Sequence, residues 1–168
     1  DIPVSSNLER LLYSLCGSDT EVAGYMQQLR EQGRYTVSDA LLAKIRETFA
    51  GGCCNDIQTR EKIGRAWRDH RYLIDTHTAV AYHVLDEYRC ETGDAAPAVV
   101  VSTASPFKFC DQVLRGIGGT ADAFGPELTC ETQIDAPAPL TGLDARPVRF
   151  GGYVDRTQML HTVDEFLK

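Results

Sequence analysis

The sequence lacks the spacings that cysteine-based metal sites and disulfide frameworks use. Its six cysteines include no C-x-x-C pair, and two of them, Cys53 and Cys54, are adjacent. The histidines also lack metal-ligand spacing, because the i, i+6 gap between His77 and His83 places them on different faces of a helix. We therefore expect no metal site, and we expect the reduced thiols that are typical of a cytoplasmic protein.

Long apolar runs and an excess of positive charge are missing as well. No run approaches the length of about 18 residues that spans a bilayer, and the N-terminus does not resemble a signal peptide. Seventeen basic residues stand against 24 acidic ones, for a formal net charge of −7. This balance argues against a surface for nucleic acid or anionic membranes. The first residue is Asp1 rather than methionine, which favours an N-terminus made by processing or trimming.

What the chain does contain is a series of one-sided apolar stripes with helix start signals. The leucines of residues 8–15 follow the i, i+3, i+4, i+7 rule of an amphipathic helix. Ser6 and Glu9 form an S-x-x-E capping box ahead of them, and Gly17 supplies the stop. Similar patterns predict further helices over 22–29, 41–49, 63–67, 81–88, 109–117 and 159–167.

Cap residues and turn residues complete this helical pattern. Ser38 or Asp39 caps the third helix, and Asp75 or Thr76 caps the fifth. Residues 118–149 are rich in Gly, Pro, Asp and Thr, which predicts a segment that is mostly loop. The last helix is expected to start at an Asp155 cap. Its expected buried face consists of Met159, Leu160, Val163 and Leu167.

One short apolar run has the character of a β-strand. Residues 97–101, with the sequence PAVVV, predict a buried parallel strand, and residues 35–37 predict a weak second one. A strand that is apolar on both faces needs neighbours to satisfy its backbone groups. Either those neighbours come from elsewhere in a longer protein, or the run is helical. The expected fold class is α/β, helix-rich, with few strands of its own.

The end of this predicted strand is the first candidate site. Ser102 and Thr103 follow the apolar run, and Lys108 lies in the first turn of the next helix. In open α/β sheets, ligands bind beyond the carboxyl ends of strands, and backbone N–H groups at a helix start favour an anion. Hydroxyl groups there can bond a ring nitrogen or a phosphate. The alternative is that Ser102 or Thr103 simply caps the following helix.

His77 is the second candidate, because it falls in the first turn of the predicted fifth helix. The positive end of the helix dipole disfavours the imidazolium form, so a neutral ring could donate a hydrogen bond into a site. The alternative is an ordinary surface or core histidine. Among only four lysines, Lys44 and Lys62 fall within exposed helical patterns and Lys168 is terminal. Lys108 is thus the one lysine placed for chemistry.

Three segments, taken in order, resemble the C-terminal half of bacterial and fungal threonine synthases. They are SSNLERLLY at 5–13, YLIDTHTAVA at 72–81 and VVVSTASPFKF at 99–109, and VDRTQMLHTVDEFL at 154–167 also suits the family's tail. The resemblance covers nearly the whole chain. It implies a single C-terminal segment, residues 1–168, of a fold-type II pyridoxal 5'-phosphate (PLP) enzyme with a three-layer sheet.

The resemblance also implies a reaction and roles for particular residues. The family converts O-phospho-L-homoserine and water to L-threonine and phosphate, with PLP as the electron sink. Its T-A-x-P-x-K-F stretch supplies a hydroxyl to the pyridine nitrogen, which here points to Thr103, with Ser102 as the fallback. Lys108 matches the lysine of that stretch and is expected to contact the substrate phosphate. His77 is expected to contact the substrate as well. The implied partner is the upstream half of the same protein.

The chain departs from the family pattern at several positions. The family usually has His in place of Ser105, a small residue in place of Phe107 and Pro in place of Thr76. Its Schiff-base lysine and its Gly/Asn-rich phosphate loop both lie upstream of the SSN motif, so this chain is expected to carry no catalytic lysine.

Two other interpretations of the function stay open. One is a stand-alone, non-catalytic module that binds a phosphorylated small ligand or a partner protein. The other is a different fold-type II enzyme, such as a dehydratase.

Overall fold

Helices dominate the fold, as a computed structural model of the chain shows. The structure describes residues 4–119, 125–143, 145–149 and 151–167. Within these ranges none of the helices is both long enough and apolar enough to cross a membrane. Two 3₁₀ turns, Pro106–Lys108 and Arg156–Gln158, accompany the α-helices. The α-helices are α1 (Ser6–Cys16), α2 (Asp19–Gln32), α3 (Asp39–Arg46), α4 (Asp56–His70), α5 (Thr76–Thr92), α6 (Cys110–Ile117), α7 (Gly125–Thr132) and α8 (Met159–Phe166).

Most predicted helix ends are confirmed, and one cap shifts by a residue. Gly17 and Gly33 end α1 and α2 in the left-handed conformation, with φ of 69° and 70°. Ser38 caps α3 by accepting a hydrogen bond from the Leu41 N–H. The predicted capping box of Ser6 and Glu9 is wrong, because Ser5 is the N-cap of α1 and accepts from the Leu8 N–H.

The predicted strands are absent from the part of the chain that the structure describes. Residues 97–101 form neither a strand nor a buried segment, since Val99 is 89% exposed and Val101 is 68% exposed. Residues 35–37 are not a strand either. The physical reason is the one that the sequence raised, because a strand persists only when a neighbour pairs with its backbone groups. The described residues supply no such neighbour.

Two further expectations about the C-terminal third are wrong. The predicted loop over 118–149 contains α7, whose Leu128 is fully buried. Pro126 near the helix start and Glu127 in its first turn are helix signals that the loop-like composition outweighed. Asp155 does act as a cap, but for the 3₁₀ turn ahead of α8. The α8 face that was expected to be buried is exposed at Met159, Leu160, Val163 and Leu167.

The buried apolar side chains form two separate clusters. In the N-terminal cluster α1 packs against α2 and α3 around Leu12, Val22, Tyr25 and Leu41. In the second cluster α4 packs against both α5 and α6, and α6 also contacts α7. Of the candidate site residues, His77 lies in α5 of this group, and Lys108 lies in the 3₁₀ turn that precedes α6. The buried members of the second cluster are Ile63, Ala66, Leu73, Ile74, Ala79, Val113, Leu114 and Leu128.

Lys62 is buried, which corrects the expectation of an exposed helical lysine. It is only 6% exposed, because α4 turns this side chain toward α5. Its ammonium group pairs with the Asp86 carboxylate and lies 4.5 Å from the centroid of the Tyr82 ring. A buried ammonium needs such a counter-charge. Lys62 therefore serves the α4–α5 interface, while Lys44 is exposed as predicted and donates to the Leu15 carbonyl.

All six cysteines are free thiols, and they differ in exposure. We expect iodoacetamide at about pH 8 to alkylate Cys110 several-fold more slowly than the exposed Cys90. Burial raises the pKa of the Cys110 thiol, so less of the reactive thiolate forms at that pH. A mass-spectrometric time course measures both sites in one sample. Unfolding in urea should equalise the two rates, whereas equal rates in the folded protein would contradict the burial of Cys110.

Candidate functional site

The N-terminus of α5 is built on a buried carboxylate. Asp75 is the N-cap and is 0% exposed. Its Oδ1 accepts hydrogen bonds from the backbone N–H groups of His77 at 2.8 Å and Thr78 at 3.3 Å. Its Oδ2 accepts one from the Thr78 hydroxyl. The helix dipole and these donors stabilise the negative charge in a place that water does not reach.

Ser102 joins the second motif to this cap. Its hydroxyl oxygen lies 3.0 Å from the Thr78 hydroxyl oxygen and 3.5 Å from Asp75 Oδ2. Ser102 is 27 residues away from Asp75 along the chain, so the contact is tertiary. The two segments that the sequence singled out, 72–81 and 99–109, therefore meet at one cluster of oxygen atoms.

Thr103 lies immediately beyond this cluster. Its side chain is exposed and has no hydrogen bond to any residue in the described ranges. Consecutive Cα atoms are about 3.8 Å apart, so the anchored Ser102 restricts where Thr103 can lie. A threonine hydroxyl in this position is available to donate to a group outside the chain.

His77 and Phe109 form the second contact between the motifs. Their rings meet edge to face, with centroids 5.2 Å apart and an interplanar angle of 78°. His77 is exposed at the first turn of α5, as the sequence predicted. Ser105 caps the 3₁₀ turn Pro106–Lys108, because its hydroxyl accepts from the Phe107 N–H at 3.3 Å.

Lys108 lies at a different place from Thr103, on the rim of an open cleft. The cleft has a volume of about 1220 Å³ and lies between the 3₁₀ turn, the start of α6, α7 and the 135–143 segment. Its lining is mostly apolar, and its charged members are Lys108, Asp111 and Asp135. Ser102, Thr103 and His77 do not line it. The structure thus brings Ser102 and His77 to the junction of the two motifs, and it leaves Lys108 facing the cleft.

Sequence reasoning named Asp75 only as one of two possible caps, and it did not single out Thr78. Asp75 nevertheless differs from the other caps in a way that marks it out, because it carries a charge. The N-caps of α1 to α4 are the uncharged residues Ser5, Ser18, Ser38 and Asn55. Asp75 alone follows an apolar stretch, Leu73–Ile74, that is itself buried. Burying an aspartate beside two buried aliphatic residues costs free energy unless hydrogen bonds or a counter-charge stabilise its carboxylate.

The oxygen atoms of this junction would fit one end of a pyridoxal group. Among the described residues, no three His, Cys, Asp or Glu side chains are grouped so as to hold an ion. A neutral hydroxyl such as that of Thr103 is a suitable donor to an unprotonated pyridine nitrogen. Of the described lysines, Lys62 is buried and paired and Lys44 bonds a carbonyl, so neither is placed at the junction.

Comparison with known proteins identifies relatives of this chain. The sequence model of the family described as "Threonine synthase, C-terminal" matches residues 78–165. Threonine synthase of Pseudomonas aeruginosa is 34% identical over 129 residues, which is 76% of this chain and 27% of that protein. Human threonine synthase-like 1 is 29% identical over 118 residues, covering 70% of this chain and 16% of that protein. The chain thus spans about a quarter or less of these curated relatives.

Solved structures share the fold. PLP-bound threonine synthase from Brucella melitensis superposes with a TM-score of 0.65 at 32% identity, over 98% of this chain and 32% of that one. Yeast threonine synthase superposes with a TM-score of 0.70 at 22% identity, over 99% of this chain and 35% of that one, which speaks for the fold alone. The helical fold is therefore one that occurs as a part of larger enzymes.

The chain belongs to the threonine synthase family, and the matched region is the family's C-terminal part.

Proposed function

We propose that this chain is the C-terminal part of a threonine synthase, which converts O-phospho-L-homoserine and water to L-threonine and phosphate. The observation that carries the proposal is the junction of Ser102 with the Asp75 cap, which joins two family-like motifs beside the exposed Thr103. When bound, PLP would supply the electron sink for this chemistry. The family's covalent anchor for PLP would come from the upstream part of the enzyme.

The residues of this chain would hold one side of the cofactor and substrate. Thr103 would donate its hydroxyl hydrogen to the pyridine nitrogen, while Ser102 holds the turn in place. Lys108 is exposed and would contribute positive charge toward the substrate phosphate. His77, whose ring rests against Phe109, would offer a hydrogen bond to the substrate. None of these residues would form a covalent bond.

The upstream part would also complete the fold around residues 97–101. Val99 and Val101 are exposed, although valine is among the residue types most often buried. Pairing of this segment with strands of the upstream part would cover both side chains and build the three-layer sheet of a fold-type II enzyme. The free thiols suit a cytoplasmic setting, which we include in the proposal.

The direct test is an assay of the full polypeptide that carries this chain. With PLP and O-phospho-L-homoserine, it should release phosphate and form threonine in equal amounts. The same assay with a β-hydroxy amino acid should release little ammonia, which separates a threonine synthase from a dehydratase. A full polypeptide that binds PLP yet forms no threonine would overturn the proposal.

The isolated 168-residue chain should not retain PLP. The proposal assigns it only a hydroxyl contact to the cofactor ring, and one hydrogen bond contributes a net of about 0.5–1.5 kcal/mol. We expect dialysis of the purified chain after incubation with PLP to remove the visible absorption of the cofactor. The full polypeptide, dialysed in parallel, should keep it. A stable band on the isolated chain would instead favour the stand-alone module that binds a phosphorylated ligand.

A further inference from the structure

Asp75 has more hydrogen bonds than a helix cap needs. The backbone N–H groups at the start of α5 use only Oδ1, and uncharged Ser or Asn side chains perform the same task at α1 to α4. Oδ2 instead faces hydroxyl groups, those of Thr78 and Ser102. Within the described residues no lysine, arginine or histidine forms an ion pair with this carboxylate. A fully buried charge without an ion pair is expensive to keep.

The charge of Asp75 decides where the hydroxyl hydrogens point. An ionised carboxylate only accepts hydrogen bonds, so the Thr78 hydroxyl must donate to it. The Ser102 hydroxyl in turn donates its single hydrogen to the same carboxylate, at 3.5 Å from Asp75 Oδ2. Ser102 thus directs its hydrogen inward and has none for an acceptor outside the chain. Thr103, without a partner among the described residues, keeps its hydrogen available.

We infer that Asp75 is a positioning residue: it holds Ser102 inward, fixes the start of the turn, and makes Thr103 the donor to the cofactor ring. This inference rests on the proposed function, because it presupposes that Thr103 contacts PLP. It also resolves the choice between Ser102 and Thr103 that the sequence left open. Ser102 is the anchor and Thr103 is the ligand-facing donor.

Asp75→Asn isolates the effect of the charge. Asparagine is as good an N-cap as aspartate, so Oδ1 can still accept from the backbone and α5 should form. The amide NH₂ that replaces Oδ2 is a donor, so it would turn the Thr78 and Ser102 hydroxyl hydrogens away from it. Asp155→Asn is the matched control, because Asp155 also accepts from a backbone N–H and a hydroxyl, both of Thr157, but on an exposed turn.

The test measures the dissociation constant of PLP and its visible absorption maximum in the full polypeptide. Asp75→Asn should weaken PLP binding about fivefold and shift the absorption maximum, while Asp155→Asn leaves both unchanged. The decisive variant is the double one. In a Thr103→Val background, Asp75→Asn should cause no further loss, because its effect passes through Thr103. Thermal unfolding of the PLP-free proteins records any general loss of stability.

The outcomes distinguish a failure of the positioning role of Asp75 from a failure of the proposed contact between Thr103 and PLP. If Thr103→Val weakens PLP binding and Asp75→Asn does not, the inference is wrong and the proposed cofactor contact stands. Equal losses from Asp75→Asn in both backgrounds would show a merely structural role and would also overturn it. If Thr103→Val binds PLP like the unaltered protein, the proposed contact itself fails. Should Asp75→Asn not fold, Ser102→Ala removes the exposed anchor instead, and the same non-additivity with Thr103→Val is expected.

Discussion

Replacing Thr103 by valine in the full enzyme is expected to lower turnover about 10- to 100-fold while leaving the fold intact. Valine keeps the branched shape of threonine but loses the hydroxyl. An acceptor left unpaired in an enclosed site costs about 1–3 kcal/mol, and about 1.4 kcal/mol corresponds to tenfold in rate. Because Thr103 is exposed and has no hydrogen-bond partner among the described residues, its replacement breaks no contact that holds the fold.

Steady-state kinetics and thermal unfolding together check this prediction. Thr103→Ser keeps a hydroxyl at the same position and should retain most of the activity, which makes it the matched control. Unfolding temperatures of both variants should stay close to that of the unaltered enzyme. Turnover at the unaltered rate in Thr103→Val would remove Thr103 from the cofactor site.

Gly64→Ala is the substitution expected to destabilise the fold most. A Cβ atom at Gly64 of α4 would lie 2.3 Å from the backbone oxygen of Gly116 in α6, far inside normal contact distance. Gly116 is equally confined, since a Cβ there would lie 3.0 Å from the Arg60 oxygen and from Ile63. The backbone obstacle cannot rotate away as a side chain can. Overpacking of this kind costs about 1–3 kcal/mol, which exceeds the gain of about 1 kcal/mol in helix propensity.

Gly24→Ala provides the control for this prediction. Gly24 lies inside α2, and a Cβ there would have no atom within 4 Å. The same chemical change should therefore stabilise the protein, by up to about 1 kcal/mol. Urea unfolding followed by circular dichroism gives both free energies. The close contact of α4 and α6 would be disproved if Gly64→Ala were as stable as Gly24→Ala.

Local features of the chain were predictable because they depend on residues within one helical turn of each other. The leucine spacing of α1, the glycine ends of α1 and α2 and the Ser38 cap need no information from elsewhere in the chain. Two of the wrong predictions also concerned local features of the chain. The cap of α1 shifted by one residue, and α7 was hidden by a composition that favours loops.

Family membership could also be inferred from the sequence, since the motifs are contiguous stretches of residues. The family match to residues 78–165 confirms that inference. The roles of Thr103, Lys108 and His77 came with the resemblance and stay proposals. The structure adds that Lys108 faces a cleft which Thr103 and His77 do not line.

Burial and long-range contacts were decided by the tertiary structure. From its helical pattern Lys62 was expected to be exposed, yet Asp86, 24 positions away, and the face of Tyr82 make its burial possible. Val99 and Val101 were expected to be buried, yet they are exposed because no neighbouring strand lies within the described residues.

The same division applies to the junction of Asp75, Ser102 and Thr103. The sequence by itself determined that Ser102 and Thr103 follow an apolar run, that Asp75 can begin a helix and that the motifs resemble those of threonine synthases. Only the tertiary structure decided that Asp75 is buried and that Ser102 turns toward it. Hydrophobic periodicity records which face of an element is apolar, but not which distant polar group meets it. The contact of Ser102 with Asp75 depends on tertiary packing. It distinguishes Ser102, which bonds to the Asp75 cap, from Thr103, which does not.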